Sequence, residues 1–140
     1  EAVRVMKPAT AAQVRAMLVR AVDSGTCKRM KMAEYLIGAK TGTAQLPNRG
    51  GRGYAPGKYL GSMCAIAPAD DPRIVVLVSV REPRKGGYYG SIVAGPACRN
   101  IVRRTLLYLK VPPKAEPQEE ATVTLSNVNE SHEDHEQDSI

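Results

Sequence analysis

Lys40-Thr41-Gly42-Thr43-Ala44-Gln45 decides how this 140-residue chain reads. An apolar lead-in, Tyr35-Leu36-Ile37-Gly38-Ala39, comes before it, and a Gly/Arg-rich loop from Asn48 to Gly57 follows. Lead-in and motif together predict a strand over residues 34–46, ended by Pro47. Side chains alternate along a strand, so Lys40 and Gly42 face one way and Thr41 and Thr43 the other. A glycine inside a strand weakens it unless a ligand or another backbone must come close there. Lys40 adds a positive charge beside that gap, and the threonines add hydroxyls. The combination suits an extended, anionic ligand laid along a strand edge. K-T-G alone would occur by chance on many ordinary strands, so its surroundings must decide.

Upstream, Thr10-Ala11-Ala12-Gln13 has the form of a capping box, with Thr10 as N-cap. Val14, Met17, Leu18, Ala21 and Val22 then recur at helical spacing, predicting a helix of about four turns. Gly25 is expected to stop it as a left-handed residue. Downstream, residues 46–58 read as a hairpin loop, and Tyr59 to Ala67 as a second strand ended by Pro68. Arg73 to Val80 is a β-branched run without polar alternation, which predicts a third strand buried on both faces. Short connections make the three strands an antiparallel meander. Ile92 to Leu109 has helical periodicity, with Cys98, Ile101, Val102, Thr105, Leu106 and Leu109 on one stripe. Pro96 belongs in its first turn or marks a kink.

Charge is divided unevenly. Residues 1–113 hold 19 of the Lys/Arg and 6 of the Asp/Glu, whereas residues 114–140 hold 1 and 8. A basic body is compatible with an anionic envelope. The basic residues are scattered and lack the aromatic interleaving of single-strand binders, so no nucleic-acid partner is expected. From Lys114 onward the composition predicts disorder, with Val123 and Leu125 as a weak candidate for pairing with an exposed edge. Gly57-Lys58 does not complete a phosphate-binding loop, because Arg52 and Tyr59 stand where glycine and Ser/Thr are needed. Cys27, Cys64 and Cys98 lie 37 and 34 residues apart, which gives neither a zinc knuckle nor a disulfide framework. Cys64 and Cys98 read as small core hydrophobes. His132 and His135 lack the spacing of H-E-x-x-H, so neither a metal nor a cofactor is expected. There is no Phe or Trp, so the core must be built from aliphatic, Met and Tyr side chains. The first residue is Glu1, which suggests a processed or partial chain. The longest apolar run, Ile74 to Val78, is too short to span a bilayer.

The K-T-G-T-A-Q stretch resembles the K-T-G box of penicillin-binding proteins and serine β-lactamases, a motif the general catalytic repertoire includes. Val22-Asp23-Ser24-Gly25-Thr26, Lys58-Tyr59-Leu60-Gly61-Ser62, Ala67-Pro68-Ala69-Asp70-Asp71-Pro72-Arg73 and Gly87-Tyr88-Tyr89-Gly90 extend the likeness. They stand in the order and spacing of class B, division-type penicillin-binding proteins, over about residues 3–113. Two departures are Cys27, where that family usually has glycine, and Ala39, where glycine commonly precedes the lysine.

The resemblance implies an α+β fold: residues 1–113 would be the carboxy-terminal part of a transpeptidase domain, with an antiparallel sheet flanked by helices, and 114–140 an acidic tail. It implies a D,D-transpeptidase that cross-links peptidoglycan stem peptides through a serine acyl-enzyme and is a target of β-lactams. Lys40 then resembles the lysine that holds positive charge near the substrate carboxylate. Thr41 and Thr43 resemble the hydroxyls that bind it, and Gly42 leaves room for substrate. The Thr43 N–H resembles one of two oxyanion donors. Tyr88 and Tyr89 resemble an aromatic wall, with ordinary loop packing as the equal alternative. No serine here is followed by lysine at i+3 or asparagine at i+2, so the S-x-x-K and S-x-N motifs are absent and the chain alone is expected to be inactive. Partners implied are the rest of the domain, stem peptides, β-lactams and septal or elongation machinery. The implied location is the outer face of the cytoplasmic membrane, by an anchor outside this sequence. Rival readings are a serine β-lactamase or carboxypeptidase, which A-P-A-D-D-P and G-Y-Y-G argue against, and a non-catalytic basic binding module with an acidic tail.

Overall fold

The computed structural model describes residues 3–114, and the acidic stretch, Val123, Leu125, His132 and His135 lie outside the described residues. The order is α1 (Pro8–Asp23), a 3₁₀ turn (Lys28–Met30), β1 (Gly38–Pro47), β2 (Tyr54–Ala67), β3 (Ile74–Arg81), α2 (Gly90–Val93) and α3 (Gly95–Tyr108). The strands form one antiparallel sheet in the order β1-β2-β3, with helices against it, an α+β arrangement as the sequence implied.

Helix α1 begins two residues before the expected cap. Lys7 is its N-cap and Pro8 its first residue, and no side chain caps it. Proline has its φ already set for a helix and has no N–H to satisfy, so it starts the turn and leaves Thr10 inside it. At the other end Gly25 is not left-handed. The chain turns back so tightly that a Cβ there would lie 2.8 Å from Ala21 Cα, and the Cys27 N–H donates to Ala21 O at 2.9 Å. That return drops Cys27 and Met30 fully into the core. Cys27 is therefore a packing residue, which gives its presence the account that its sequence position lacked.

The lead-in to the motif is a bend rather than a strand, and β1 starts only at Gly38. Tyr35 and Ile37 are buried all the same, and Tyr35 Oη donates to Val111 O at 3.0 Å. The β1–β2 hairpin is longer than expected, since β2 runs from Tyr54 and passes through Pro56 and Gly57 (φ 70°) with a register shift between Gln45 and Pro47.

The core lies between the sheet and α3, with Ala39, Met63 and Ala65 facing Cys98, Val102 and Leu106. Among the described residues no polar side chain is buried in it. Burial pushes the Cys98 thiol up to about 11, so this cysteine behaves as a hydrophobe. Cys64 is only half-buried, on the opposite face. The expectation that β3 is buried on both faces is not met. Val76, Val78 and Val80 pack on the core, but Val75 and Leu77 are each 67% exposed. The cause is coverage: α3 lies on one face of β3, whereas α1 packs chiefly on β1. The same shortage leaves Met17 of the predicted α1 stripe 68% exposed and Val14 exposed as well, so that Val22 alone is fully buried.

The last helix is two. Ala94 breaks it, and Pro96 sits in the first turn of α3, where its missing N–H costs nothing. Ile101 and Leu109 of the predicted stripe are exposed. After α3 the chain straps back over the body: the Lys114 N–H donates to Glu34 O at 2.8 Å, and Lys114 Nζ pairs with Asp70 at 2.9 Å. Lys114, grouped with the tail by composition, is thus tied to the body. The hydrogen bond from Lys114 holds the Asp70 carboxyl below its usual range.

Candidate active site

Strand β1 is an edge strand, so one side of the motif's backbone has no neighbouring strand among the described residues. Such an edge presents alternate N–H and C=O groups to whatever lies beside it. The register sets Lys40 opposite Cys64, Thr41 opposite Met63, Gly42 opposite Ser62 and Thr43 opposite Gly61. Gly38, Lys40 and Gly42 share the face on which α1 rests, since a Cβ at Gly38 would meet Leu18 Cβ at 3.1 Å. Ala39, Thr41 and Thr43 share the α3 face with Met63 and Ala65. The alternation read from sequence therefore holds.

Lys40 is exposed, and its Nζ donates to Thr41 O at 2.8 Å, so the ammonium is curled over the strand edge. Among the described residues it has no carboxylate partner. Thr43 is exposed and Thr41 half-buried. Thr41 Oγ1 lies 3.3 Å from Thr26 Oγ1, at the turn after α1. Thr26 belongs to a motif that the sequence flagged, but nothing in that motif announced the contact. Cationic, hydroxyl and backbone donors thus converge along one open edge, a set suited to holding a carboxylate and an extended peptide.

The motif strand is braced from behind, which sequence reasoning did not anticipate. The loop after β3 crosses the α3 face at Tyr88–Gly90. A Cβ on Gly90 would strike the backbone carbonyls of Ser62 and Gly42, the latter at 2.7 Å. A Cβ on Gly61 would meet Tyr88 O at 2.8 Å. Glycine at both positions lets the loop lie directly on the sheet beneath Gly42. Gly42 itself faces the other way, where a Cβ would lie 2.5 Å from Ser62 Oγ. Its missing side chain accommodates the neighbouring strand as well as keeping the edge low. The G-Y-Y-G spacing was the available signal for this brace.

Tyr88 stacks on Tyr59 of β2, with centroids 4.0 Å apart and planes 13° apart, and leans on Tyr89 at 4.6 Å. The hydrogen bond with Tyr89, then the nearby phenols, hold the Tyr88 hydroxyl above its usual range. Tyr88 is half-buried and Tyr89 is 55% exposed, so loop packing accounts for the first and leaves the second available to a ligand.

The family model of the penicillin binding protein transpeptidase domain matches residues 1–103. A relative from Neisseria flavescens, named a probable peptidoglycan D,D-transpeptidase PenA, is 39% identical over 86% of this chain and 30% of its own length. The apo transpeptidase domain of Burkholderia pseudomallei penicillin-binding protein 3 superposes with a TM-score of 0.70 at 45% identity, covering 81% of this chain and 34% of that one. Penicillin binding protein 3 from Mycobacterium tuberculosis, solved with ampicillin, also gives 0.70, at 30% identity over 82% and 27%. The chain therefore spans about a third or less of the length of the relatives it matches.

Proposed function

This chain belongs to the penicillin binding protein transpeptidase family, and on that premise we propose that it supplies the substrate-binding edge of a peptidoglycan D,D-transpeptidase. One observation carries the reading: Lys40, Thr41 and Thr43 stand along an open edge strand held down by Gly90. The likeness to class B enzymes such as PenA supports it.

In this reading a stem peptide lies antiparallel to β1 as an added strand, with its terminal carboxylate near Lys40, Thr41 and Thr43. The Thr43 N–H is one oxyanion donor. A serine outside this sequence attacks the penultimate D-Ala carbonyl and releases D-Ala. The amine of a second stem peptide then displaces the serine and completes the cross-link. Removing one oxyanion donor typically costs about 10²–10³ in rate, which sets the scale on which the strand's position matters. Tyr89 borders the ligand. Residues 1–113 form the carboxy-terminal part of the domain, and β-lactams acylate the same serine. The setting is the outer face of the cytoplasmic membrane in septal or elongation wall synthesis. Among the described residues no helix is long and apolar enough to cross a membrane, so this setting requires an anchor outside them.

The test is Lys40→Ala in the full-length protein. Acylation by a fluorescent penicillin should slow by about 10²-fold or more, as for loss of a positioned electrostatic group, with the fold intact. An unaltered rate removes the assignment.

A further inference from the structure

On the side of the molecule formed by the 3₁₀ turn and α3, Arg29, Lys31 and Arg99 line a groove of about 350 Å³ with Pro96 and Asn100. Its geometry is held by the body itself. Met30 is fully buried, which anchors the turn, and Arg99 Nε donates to Lys31 O at 3.1 Å. Among the described residues none of these three cations pairs with a carboxylate. Glu34 is occupied by Arg103 at 3.0 Å, and a hydrogen bond from its own backbone, then that from Arg103, holds its carboxyl below the usual range. The catalytic reading makes no use of the groove.

The chain leaves the described structure beside it. Lys114 donates its N–H to Glu34 O, and it shares a second small cleft with Lys31. Arg103 and Arg99 are four residues apart on α3, about 6 Å along the axis. Beyond Lys114 come 26 residues with eight Asp/Glu and no Lys or Arg. The first acidic group, Glu116, Glu119 and Glu120, begins two residues past Lys114. An extended chain of that length reaches about 7–20 Å, and it starts from a residue that already shares a cleft with Lys31.

We propose that this groove is the docking site of the chain's own acidic segment, with the carboxylates of Glu116, Glu119 and Glu120 on Arg29, Lys31 and Arg99. Single exposed ion pairs contribute about 0–1 kcal/mol, so no one pair would hold it. Several at once on a short tether do better, because the tether makes the local carboxylate concentration high. The docking closes a cationic patch that would otherwise attract other polyanions. It is independent of the acyl-transfer reading.

The test is zero-length carbodiimide cross-linking of the full-length protein, mapped by peptide mass spectrometry, with light and heavy protein mixed to separate links within and between copies. The expected product joins Lys31 or Lys28 to Glu116, Glu119 or Glu120 within one copy. Its yield should fall about tenfold at 1 M salt, where the Debye length shortens from about 8 to about 3 Å. Arg29→Gln with Arg99→Gln should lower it similarly at low salt, and the salt titration of the unmodified protein decides should that variant not fold. Equal linkage to Lys58, Lys85 and Lys110 would overturn the proposal, as would links only between copies. Binding to anionic lipid vesicles that depends on Arg29 and Arg99, without any internal link, would assign the groove to a membrane surface instead.

Discussion

Gly90→Ala tests the brace beneath the motif strand. The added Cβ would lie 2.7 Å from Gly42 O and 2.9 Å from Ser62 C, against an ordinary contact of at least 3.4 Å. The shortfall at Gly42 is about 0.7 Å, and the contact with Ser62 O is tighter still. Both obstacles are sheet backbone, which cannot rotate away as a side-chain tip would. The loop must therefore lift or β1 must shift. Forcing a methyl into a packed site costs about 1–3 kcal/mol. For domains of about 150–250 residues each kcal/mol lowers the thermal midpoint by about 2–4 °C, and by somewhat less in longer ones. A displacement near 1 Å at a positioned catalytic group costs about 10²-fold in rate. The full-length variant should thus melt several degrees lower and be acylated by penicillin far more slowly, while Gly50→Ala, which meets nothing within 4 Å, should change neither. A Gly90→Ala protein that melts with wild type and acylates at the wild-type rate would refute the brace.

Deleting residues 115–140 should leave the midpoint of the full-length protein within a few degrees, since exposed ion pairs contribute about 0–1 kcal/mol each; calorimetry showing a larger drop would mean that apolar tail residues pack on the body. The 140 residues produced alone should take up no fluorescent penicillin on a denaturing gel, because the S-x-x-K serine is absent from the sequence. Stoichiometric labelling of Ser24, Ser62, Ser79 or Ser91 in that experiment would sink the transpeptidase reading.

The parts of the fold that were legible in the sequence are those whose signal is local. The three strands announced themselves through β-branched content and punctuation by Pro and Gly, and the motif's two-faced alternation follows from strand geometry alone. Misreadings arose where two local signals competed. Thr10 and Gln13 suggested a cap, but Pro8 acts earlier and more rigidly. Gly25 suggested a left-handed stop, but its hydrogen side chain serves a close crossing onto Ala21. Thr26 against Thr41, and Gly90 on the carbonyls of Gly42 and Ser62, join residues 15, 48 and 28 positions apart. Single-sequence reasoning has no handle on contacts of that kind, though it had marked both segments.

The remaining mismatch, at β3, is of another kind. Its pattern encodes burial on both faces, yet Val75 and Leu77 lie open on the face shared with Cys64 and Ile66. Val14 and Met17 of α1, the helix assigned to that side of the sheet, are exposed too. Fully burying one such side chain contributes about 1.5–3 kcal/mol, so four of them left in water forgo a large share of a domain's net stability. Scattered apolar residues on a surface mean little, but these belong to two elements on one side of one sheet. The relatives are about three times as long as the span they share with this chain. A further layer from that remaining length would satisfy β3 and α1 together. The apolar pattern of β3 thus exceeds the cover that α1 and α3 supply, and its open face at Val75 and Leu77 is where such a layer would pack.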